Sequence, residues 1–366
     1  RRQLAADVPV GVLLSGGVDS SLITAMAVRA SRQVKTFTVG FPGFGNYDES
    51  EHARLIARYF GTEHIELEAG NVDSDLLQIL ARQFDEPMVD SSMIPTFLVS
   101  QLVRQHCTVA LGGDGGDELF GGYSHYNRLL WMQGRLGKIP LPLRKAIALG
   151  AQKLPIGLKG RNWLQGLGVD LQQGLPLIAS YFDASTRRQL MAQYDGWELV
   201  AESINSERIP RHPDLLQRAT RMDFQDYLAE DILVKVDRAS MINSLEVRAP
   251  LLDYRLIEFA FGKVPSYLKG TAHDKKILLK RLTSRVLPPE FDRQRKQGFS
   301  IPLADWLKAG PFLNLFQEVL LDTGCLFDRR TVIGLLKGQA QGRNNGERLF
   351  ALVLFELWRR EYKITI

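Results

Sequence analysis

The stretch VGVLLSGGVDSSLITAM, from Val10 to Met26, decides the fold of this 366-residue sequence. Its opening run, Val10 to Leu14, is apolar and uncharged, which is typical of a strand buried on both faces of a parallel sheet. From Ser20 the apolar residues recur at spacings of three and four, which is typical of a helix. The Ser-Gly-Gly between the two patterns therefore predicts a sharp turn at the carboxyl end of a strand.

The composition of this turn predicts a phosphate site. Gly16 and Gly17 have no side chains to keep an anion from the backbone amides, and the helix start adds unpaired N–H groups and a positive dipole end. The GxxxxGKS/T spacing of the commonest phosphate loop is missing, and Asp19 stands where a cation would be expected. A carboxylate beside phosphates indicates Mg2+ between them. A plain strand-turn-helix corner capped by Ser15, Asp19 or Ser20 is the alternative, and this stretch alone leaves both open.

Composition sets the broad class. The chain is 45% hydrophobic, enough for one large or two ordinary domains, and it contains neither a membrane-length apolar run nor a signal-peptide pattern. Cys107 and Cys325 lie far apart without CxxC spacing, which favours a reducing, cytoplasmic setting. The net charge of +5 is spread over dispersed cations without a nucleic-acid motif. We therefore expect neither nucleic acid nor membrane as a partner, and we leave a homodimer open.

Strands and helices alternate through the first part of the chain. Further strands are predicted at Lys35–Val39, His64–Glu68 and Thr108–Leu111, and helices at Glu49–Phe60, Asp75–Phe84 and Thr96–Gln105. This order predicts a doubly wound parallel sheet, whose ligand sits in loops at the carboxyl ends of the strands. Residues 1–130 are thus expected to form a nucleotide-binding α/β core. Residues 131–366 read as mainly helical, with Leu215–Ile242 and Tyr254–Phe261 as long helical stretches packed on the sheet.

The loop after Leu111, GGDGGDELFGGY at 112–123, is rich in glycine and acids. A bare turn seldom needs this many acids beside glycines that let a ligand come close. Asp117 is predicted to complete a Mg2+ site with Asp19. Asp114 would then be available for proton transfer or for ordering a substrate amine.

Two later stretches also place charges in unusual surroundings. The segment LVKVDRASMINSLEVRAPLLD, 233–253, sets charges in an apolar helical frame, and structural ion pairs are their predicted role. These charged residues are Lys235, Asp237, Arg238, Glu246, Arg248 and Asp253. The segment RQRKQGFSIPLADWL, 293–307, is a basic glycine loop that could close on a triphosphate and deliver a lysine, with an exposed basic loop as the alternative.

Taken together, SGGVDSS, GGDGGDELFGGY, VDRASMINSLEVRAPLLD and RKQGF resemble, in this order and spacing, the synthetase domain of glutamine-dependent asparagine synthetases. SGGxDS by itself is shared by all pyrophosphate-releasing adenylating enzymes of this fold. The resemblance implies an adenine-nucleotide α-hydrolase (ATP pyrophosphatase) sheet with an extensive helical second half. It also implies that residues 233–307 complete the active site.

The resemblance assigns roles to individual residues. It implies that the pyrophosphate portion of ATP binds Ser15, Gly16, Gly17, Asp19 and Ser20, and that adenosine is lined by Leu13, Leu14, Val39, Gly112 and Gly113. Asp19 and Asp117 would bind Mg2+, and Lys296 would stabilise the reacting α-phosphate. Asp114 stands where well-known members carry Glu, a position linked to ammonia handling. Asp90, Ser91 and Ser92 are our prediction for part of the substrate pocket.

The chemistry implied by the resemblance is amide synthesis. The β-carboxylate of L-aspartate attacks ATP to give β-aspartyl-AMP and pyrophosphate, and ammonia then displaces AMP to give asparagine. In the family a preceding glutaminase domain supplies the ammonia from glutamine. The sequence opens at Arg1 without such a domain, so we expect a second part of a longer protein that alone uses free ammonia. Adenylating domains of β-lactam synthetases and lasso-peptide cyclases, and a non-catalytic ATP-binding module, are the alternatives.

Overall fold

The apolar run that opens at Val10 forms the middle strand of a parallel sheet in this computed structural model. The strands are β1 (Val10–Leu13), β2 (Lys35–Gly40), β3 (Glu63–Glu68), β4 (Val109–Leu111) and β5 (Glu246–Arg248). The described residues place them in the order β3-β2-β1-β4-β5, with every neighbouring pair parallel. The predicted parallel α/β sheet is confirmed.

The structure describes residues 1–31, 33–40, 49–68, 73–176, 181–192, 200–294 and 301–365. The chain divides into two compact units. The sheet unit comprises Arg1–Val72, Ser92–Asn127 and Thr220–Ile301, and the helical unit comprises Asp73–Ser91, Arg128–Ala219 and Pro302–Ile366. The functional division predicted from the sequence, with a nucleotide core over 1–130, stays a prediction.

The helices follow the strands and then fill the second half of the chain. In chain order they are α1 (Val18–Ala30), α2 (Ser50–Phe60), α3 (Leu76–Gln83), α4 (Met93–Val103), α5 (Gly116–Phe120), α6 (Ser124–Leu136), α7 (Leu141–Ala151), α8 (Arg161–Gly166), α9 (Ala184–Leu190), α10 (Val200–Arg208), α11 (Leu215–Asp223), α12 (Leu233–Met241), α13 (Tyr254–Gly262), α14 (Ser266–Lys269), α15 (Ile277–Val286), α16 (Leu303–Trp306), α17 (Pro311–Leu321), α18 (Arg329–Ala340) and α19 (Gly346–Glu361). None of the described helices is long and apolar enough to cross a membrane.

Strand β5 corrects the expectation that 233–253 provides an apolar helical frame. Val109 of β4 pairs with Glu246 and Leu111 pairs with Arg248, so the segment adds a parallel strand to the sheet. Only three residues form this strand, and charged side chains stand at both its ends. Three residues are too few to show a period of two, which explains why the sequence pattern missed the strand.

The long helical stretch predicted over 215–242 is also more varied than its pattern suggested. A π-helix spans Phe224–Ile232 between α11 and α12. Such segments are rare and occur often at functional sites, since an extra residue per turn turns the following side chains to a new direction. Here the π-helix directly precedes α12, which carries Lys235.

The sheet buries both of its faces, as its apolar strands predict. Side chains on a strand alternate between faces, so Val12 and Leu13 belong to different apolar clusters. Val12 packs in a buried cluster with Ile23, and Leu13 packs against the cluster that contains Phe37. Strand β1 is therefore packed on both faces, and this packing fixes the position at which the loop after it begins.

Candidate active site

A cavity of about 320 Å3 opens at the carboxyl ends of β1 and β4, within the sheet unit. The strand order reverses between these two neighbours, and ligands of open α/β sheets bind at such a switch point. Most of the predicted ATP and metal residues line the cavity: Leu13, Leu14, Ser15, Gly17, Asp19, Ser20, Val39, Gly112, Gly113, Asp114 and Asp117. The structure thus brings them together, while their individual roles stay predictions.

Ser15 holds the SGGVDS turn in shape. Its Oγ accepts a hydrogen bond from the Gly17 N–H at 3.4 Å and lies 3.0 Å from Ser20 Oγ. The Ser20 hydroxyl also donates to the Gly17 carbonyl at 3.3 Å. Helix α1 begins with Gly17 at its N-cap, and no side chain of the described residues caps it there. The serines therefore shape the loop rather than cap the helix.

The two glycines of the turn have different reasons to be glycine. Gly16 has a φ of +70°, and a Cβ there would lie 2.5 Å from His52 Cβ, so α2 packs too close for any side chain. A Cβ at Gly17 would meet only Ser15 Oγ, at 3.4 Å. The sequence argument gave both glycines the same role in anion access. In the structure Gly16 has a steric role, because α2 packs against it, and Gly17 lies on the less crowded side of the loop.

Two acids and a lysine meet beside this turn. Asp19 lies in the first turn of α1 and Asp117 in the first turn of α5. The Lys276 ammonium donates to Asp19 Oδ2 and lies 2.8 Å from Asp117 Oδ1. Burial by itself would lower the pKa of Lys276, but the two carboxylates outweigh it and raise that pKa. Lys276 is therefore held charged between them.

The acid pair has the donor set of a divalent cation site. One oxygen of each carboxylate points at the same position, and such hard oxygen ligands suit Mg2+. Gly116 makes room for this arrangement, since a Cβ there would lie 2.6 Å from Asp19 Oδ1. Among the described residues no group of three or more His, Cys, Asp or Glu side chains is placed to hold a metal ion.

Lys276 was missed from the sequence, and its local signal is weak. It precedes α15 in a left-handed conformation, with a φ of 52°, which a lysine seldom adopts. Nothing in HDKKILLKR marks one lysine as special, and Asp19 lies 257 positions away. Only the three-dimensional arrangement brings it to the site.

Asp114 and Lys235 occupy another part of the cavity lining. Burial raises the pKa of Asp114, the positive charge of Lys235 opposes this rise, and Asp19 and Asp117 add to it. Lys235 itself is buried on α12 and donates to Ser92 Oγ at 2.7 Å. The structural ion pair that the sequence analysis expects of Lys235 stays a prediction, and the structure places Lys235 on the wall of the candidate site.

Ion pairs form at the end of the 233–253 segment. Arg248 Nε lies 2.6 Å from Glu246 Oε1, and its guanidinium also donates to the carbonyls of Gln3 and Ala5 at 2.9 Å. Asp253 pairs with Arg255 at 2.7 Å and accepts from its backbone N–H at the start of α13. These contacts hold the segment in place.

Of the three predicted substrate residues, one contacts a residue that lines the cavity. Ser92 contacts Lys235 and so lies behind the cavity wall. Asp90 and Ser91 belong to the helical unit, where Ser91 hydrogen-bonds Glu347 and Asp90 adds negative charge near it. Burial raises the pKa of Glu347, and Ser91 opposes that rise. The described lining of the cavity includes none of the three serine and aspartate residues at 90–92.

The predicted catalytic lysine, Lys296, lies outside the described residues. The residues just before it are described, and Arg293 and Gln294 line the cavity. Gln294 Oε1 accepts from Lys280 Nζ at 2.9 Å, and Lys280 also pairs with Asp274 at 2.5 Å. The last described residues before Lys296 therefore lie at the cavity.

The third acid of the glycine loop, Glu118, is buried, and the sequence analysis gave it no role. Burial raises the pKa of Glu118 to about 7, and the hydrogen bond that Tyr123 donates to it opposes the rise. The Tyr123 ring stacks on His125 at 5.3 Å, and His125 Nε2 lies 2.9 Å from Asp223 Oδ2. The Glu118–Tyr123 hydrogen bond therefore joins α5 to the last residue of the glycine loop.

Comparison with known proteins agrees with this geometry. The family model described as Asparagine synthase matches residues 1–360. Asparagine synthetase (glutamine-hydrolyzing) 1 of Bacillus subtilis is 31% identical over 97% of this chain and 56% of its own length. A putative asparagine synthetase (glutamine-hydrolyzing) of Mycobacterium bovis is 32% identical over 98% of this chain and 55% of its own.

A more distant relative carries a different name. The amidase chyE of Penicillium rubens is 25% identical over 87% of this chain and 53% of its own length. This chain spans little more than half the length of the curated relatives that it matches. The family match, in contrast, covers nearly the whole chain, from the first residue to Arg360 in α19. The chain therefore belongs to the asparagine synthase family.

Proposed function

We propose that this chain catalyses ATP-dependent amide synthesis, converting L-aspartate and ammonia into L-asparagine. The observation that carries the proposal is the meeting of the SGGVDS turn, the Asp19–Asp117 pair and Lys276 at the switch point of the sheet. Turn amides, paired acids and a fixed cation are what a nucleotide phosphate site requires. The proposed reaction is the one that the description of the family, asparagine synthase, indicates.

ATP would bind with its phosphates over the SGGVDS turn. A Cβ at Gly17 would make only an ordinary contact, with Ser15 Oγ at 3.4 Å, and the N-terminal end of α1 supplies N–H groups and a positive dipole end to the phosphates. Ser15 and Ser20 hold the loop in this shape. The adenosine would lie along Leu13, Leu14, Val39, Gly112 and Gly113, which line the same cavity.

Asp19 and Asp117 would hold Mg2+, which, when bound, neutralises charge on the phosphates and the departing pyrophosphate. Lys276, which contacts both carboxylates, would lie beside the ion and add a second positive charge. Lys296 is our proposed contact for the α-phosphate, because Arg293 and Gln294, just before it in the sequence, line the cavity. Phosphoryl transfer depends on positioned cations more than on covalent help, which fits this set of residues.

The first step joins a β-carboxylate oxygen of aspartate to the α-phosphorus and breaks the bond from that phosphorus to the bridging oxygen of pyrophosphate. In the second step ammonia attacks the acyl carbon, and the carbon–oxygen bond to AMP breaks. The nitrogen loses a proton as the amide forms. Asp114, whose pKa burial raises, is our proposed acceptor for that proton.

We further propose that the ammonia comes from glutamine through a glutaminase domain that precedes this part of the protein. Two observations support this: the relatives are named as glutamine-hydrolyzing, and this chain spans just over half of their length. Supplied with ammonium, the chain alone should still make asparagine, because the adenylation site lies within it.

The test is pyrophosphate release from ATP and MgCl2 with ammonium chloride, across a panel of amino acids and larger carboxylates. We expect L-aspartate to drive release and asparagine to form with it, and Lys276→Met to abolish both. If larger carboxylates drive release while aspartate does not, the site serves another acyl-adenylate, such as those of β-lactam synthetases. If ATP binds without release under any condition, the chain is a nucleotide-binding module.

A further inference from the structure

Lys276 reaches the acid pair from a backbone conformation that costs energy. Its φ of 52° and ψ of 35° lie in the left-handed region, directly before α15. A residue with a side chain keeps this conformation only where the surrounding structure holds it, and such residues cluster at functional sites. The contacts that hold the backbone before Lys276 therefore bear on how the site works.

The turn before Lys276, residues 270–275, is closed by its own hydrogen bonds. The Thr271 N–H donates to the Asp274 carbonyl at 2.8 Å, and the Asp274 N–H donates to Thr271 Oγ1 at 3.0 Å. The Lys275 N–H donates to Asp274 Oδ1 at 2.8 Å, and Gly270 forms an antiparallel bridge with Lys275. These contacts lie within the turn, so they fix its shape but not its place beside the glycine loop.

Asn127, on α6, joins this turn to the glycine loop. Its Nδ2 donates to the Thr271 carbonyl at 2.6 Å and to the Asp274 carbonyl at 2.9 Å. One amide group thus holds both ends of the turn, and both acceptors are carbonyls, so only the NH2 side of the amide can face them. Ser124 Oγ, at the start of the same helix, accepts from Lys275 Nζ at 3.0 Å. Helix α6 begins directly after the glycine loop and so places the turn relative to that loop.

The glycine loop in turn leaves room for the Lys276 side chain. A Cβ at Gly122 would overlap both Lys276 Cε and Asp117 Oδ1. The lysine therefore passes directly over bare backbone on its way to the acid pair. Its position is fixed on two sides, by the glycine loop against its side chain and by the turn that precedes its backbone.

We propose that Asn127 is a positioning residue for the ATP site, which holds the 270–275 turn so that the Lys276 ammonium meets the phosphates. The proposal rests on the proposed function and deepens it. The described lining of the cavity includes Lys275 and Lys276 but not Asn127, so Asn127 acts through the turn rather than by contact with ATP. A displacement of a binding group by about 1 Å can weaken its contribution by up to about 100-fold, so this support matters for function.

The experiment is a double-mutant cycle on ATP binding. Isothermal titration calorimetry with ATP and MgCl2 measures Kd for the unchanged chain, Asn127→Ala, Lys276→Met and the double variant. Two hydrogen bonds of ordinary strength correspond to about 5- to 150-fold, so we expect Asn127→Ala to raise Kd by about 10-fold. Lys276→Met should raise it at least as much. The double variant should match Lys276→Met within about twofold, because Asn127 has no effect once Lys276 is gone.

A matched control separates positioning from general support of the fold. Asn243 lies in the same sheet unit, and its Nδ2 also donates to two carbonyls, those of Phe97 at 3.2 Å and Ala239 at 3.3 Å. Asn243→Ala should lower Tm by a similar few degrees and leave Kd for ATP within about twofold. Asn127→Asp, which keeps the size but loses the amide donors, should bind ATP no better than Asn127→Ala. If Asn127→Ala does not fold, Asn127→Ser provides the same comparison.

Equal losses from Asn127→Ala in the presence and in the absence of the Lys276 side chain would overturn the proposal, because Asn127 would then act by another route. An unchanged Kd for Asn127→Ala would overturn it as well. If the unchanged chain does not bind ATP, the proposed function itself fails. That result is read before any variant is made, so the two failures are distinguishable.

Discussion

Lys276 and Glu356 are both almost fully removed from water, with exposures of 8% and 0%, yet their surroundings differ. Glu356 lies on α19, and its carboxylate accepts from Arg359 and Arg360 one turn away and from the Leu326 N–H. Lys276 is bound by Asp19 and Asp117, which come from distant parts of the chain. One cluster is local and closed, and the other is assembled from three elements at a cavity.

The comparison separates a structural charge cluster from a functional one. In the Glu356 cluster each carboxylate oxygen accepts hydrogen bonds, so nothing is left for a ligand and its removal should affect stability. In the Lys276 cluster all three residues line the cavity. Its groups can exchange partners with a nucleotide, so its removal should affect activity.

The largest effect is expected for Asp117→Asn. The neutral amide cannot hold Mg2+ or balance the charge of Lys276, so kcat/KM for pyrophosphate release should fall by about 1000-fold, or about 4 kcal/mol. Thermal unfolding should shift by only a few degrees. Asp305→Asn is the matched control, because Asp305 forms an exposed ion pair with Lys308 at 2.7 Å. Full activity of Asp117→Asn would contradict the functional role of the Lys276 cluster.

The next effect is on stability. Glu356→Ala leaves the guanidinium groups of Arg359 and Arg360 without their shared acceptor, and we expect unfolding to become easier by about 3 to 5 kcal/mol. Urea titration measures this, with Glu361→Gln on the same helix as a control, since Glu361 pairs with the exposed Arg82 at 2.7 Å. At low temperature the folded variant should keep its kcat. A lost kcat without lost stability would contradict the structural role.

Glu118 predicts a dependence of stability on pH. Burial raises its pKa to about 7 in the folded chain, above the ordinary value of 4.5. The folded state therefore binds the proton more tightly, so this contribution is complete below about pH 4.5 and is lost as pH rises through 7. We expect a loss of at most about 3 kcal/mol over that range. Glu118→Gln, which keeps an acceptor for Tyr123, should unfold with a flatter pH profile, and an unchanged profile would contradict the assignment.

The smallest effect is expected for Ser15→Ala. It removes the hydroxyl that accepts from the Gly17 N–H, a contribution of about 1 kcal/mol, so KM for ATP should rise about fivefold. Ser31→Ala at the other end of α1 is the matched control, since Ser31 also hydrogen-bonds its local backbone, to the Gln33 carbonyl at 3.1 Å. Equal changes in KM for both variants would show that the loss comes from the helix rather than from the loop.

The sequence predicted the elements whose signal is local. The apolar run at Val10, the glycine turn and the helix behind it appear within 17 residues, and the structure has the strand, turn and helix there. Strand β5 escaped because three residues carry no period, and the π-helix before α12 has no distinct sequence pattern. Local sequence patterns were therefore sufficient to predict β1 to β4 but not the edge strand β5.

The site was predicted less completely, for a related reason. Asp19 and Asp117 stand in recognisable loops, whereas Lys276 precedes an ordinary helix and Lys235 lies within one. Their importance comes from contacts across the fold, with Asp19 and with Ser92. Glu118 lies beside Asp117 in sequence, and only the folded structure shows that it is buried and that burial raises its pKa.

The central claim, that an aspartate carboxylate attacks the α-phosphorus of ATP, is tested most directly with isotope. L-Aspartate labelled with 18O in its β-carboxylate is incubated with the chain, ATP, MgCl2 and ammonium chloride, and the AMP is analysed by mass spectrometry. The proposed steps predict one 18O in the phosphate of AMP for each asparagine formed, with unlabelled pyrophosphate. Unlabelled AMP, or ADP and phosphate in place of AMP and pyrophosphate, would contradict the account.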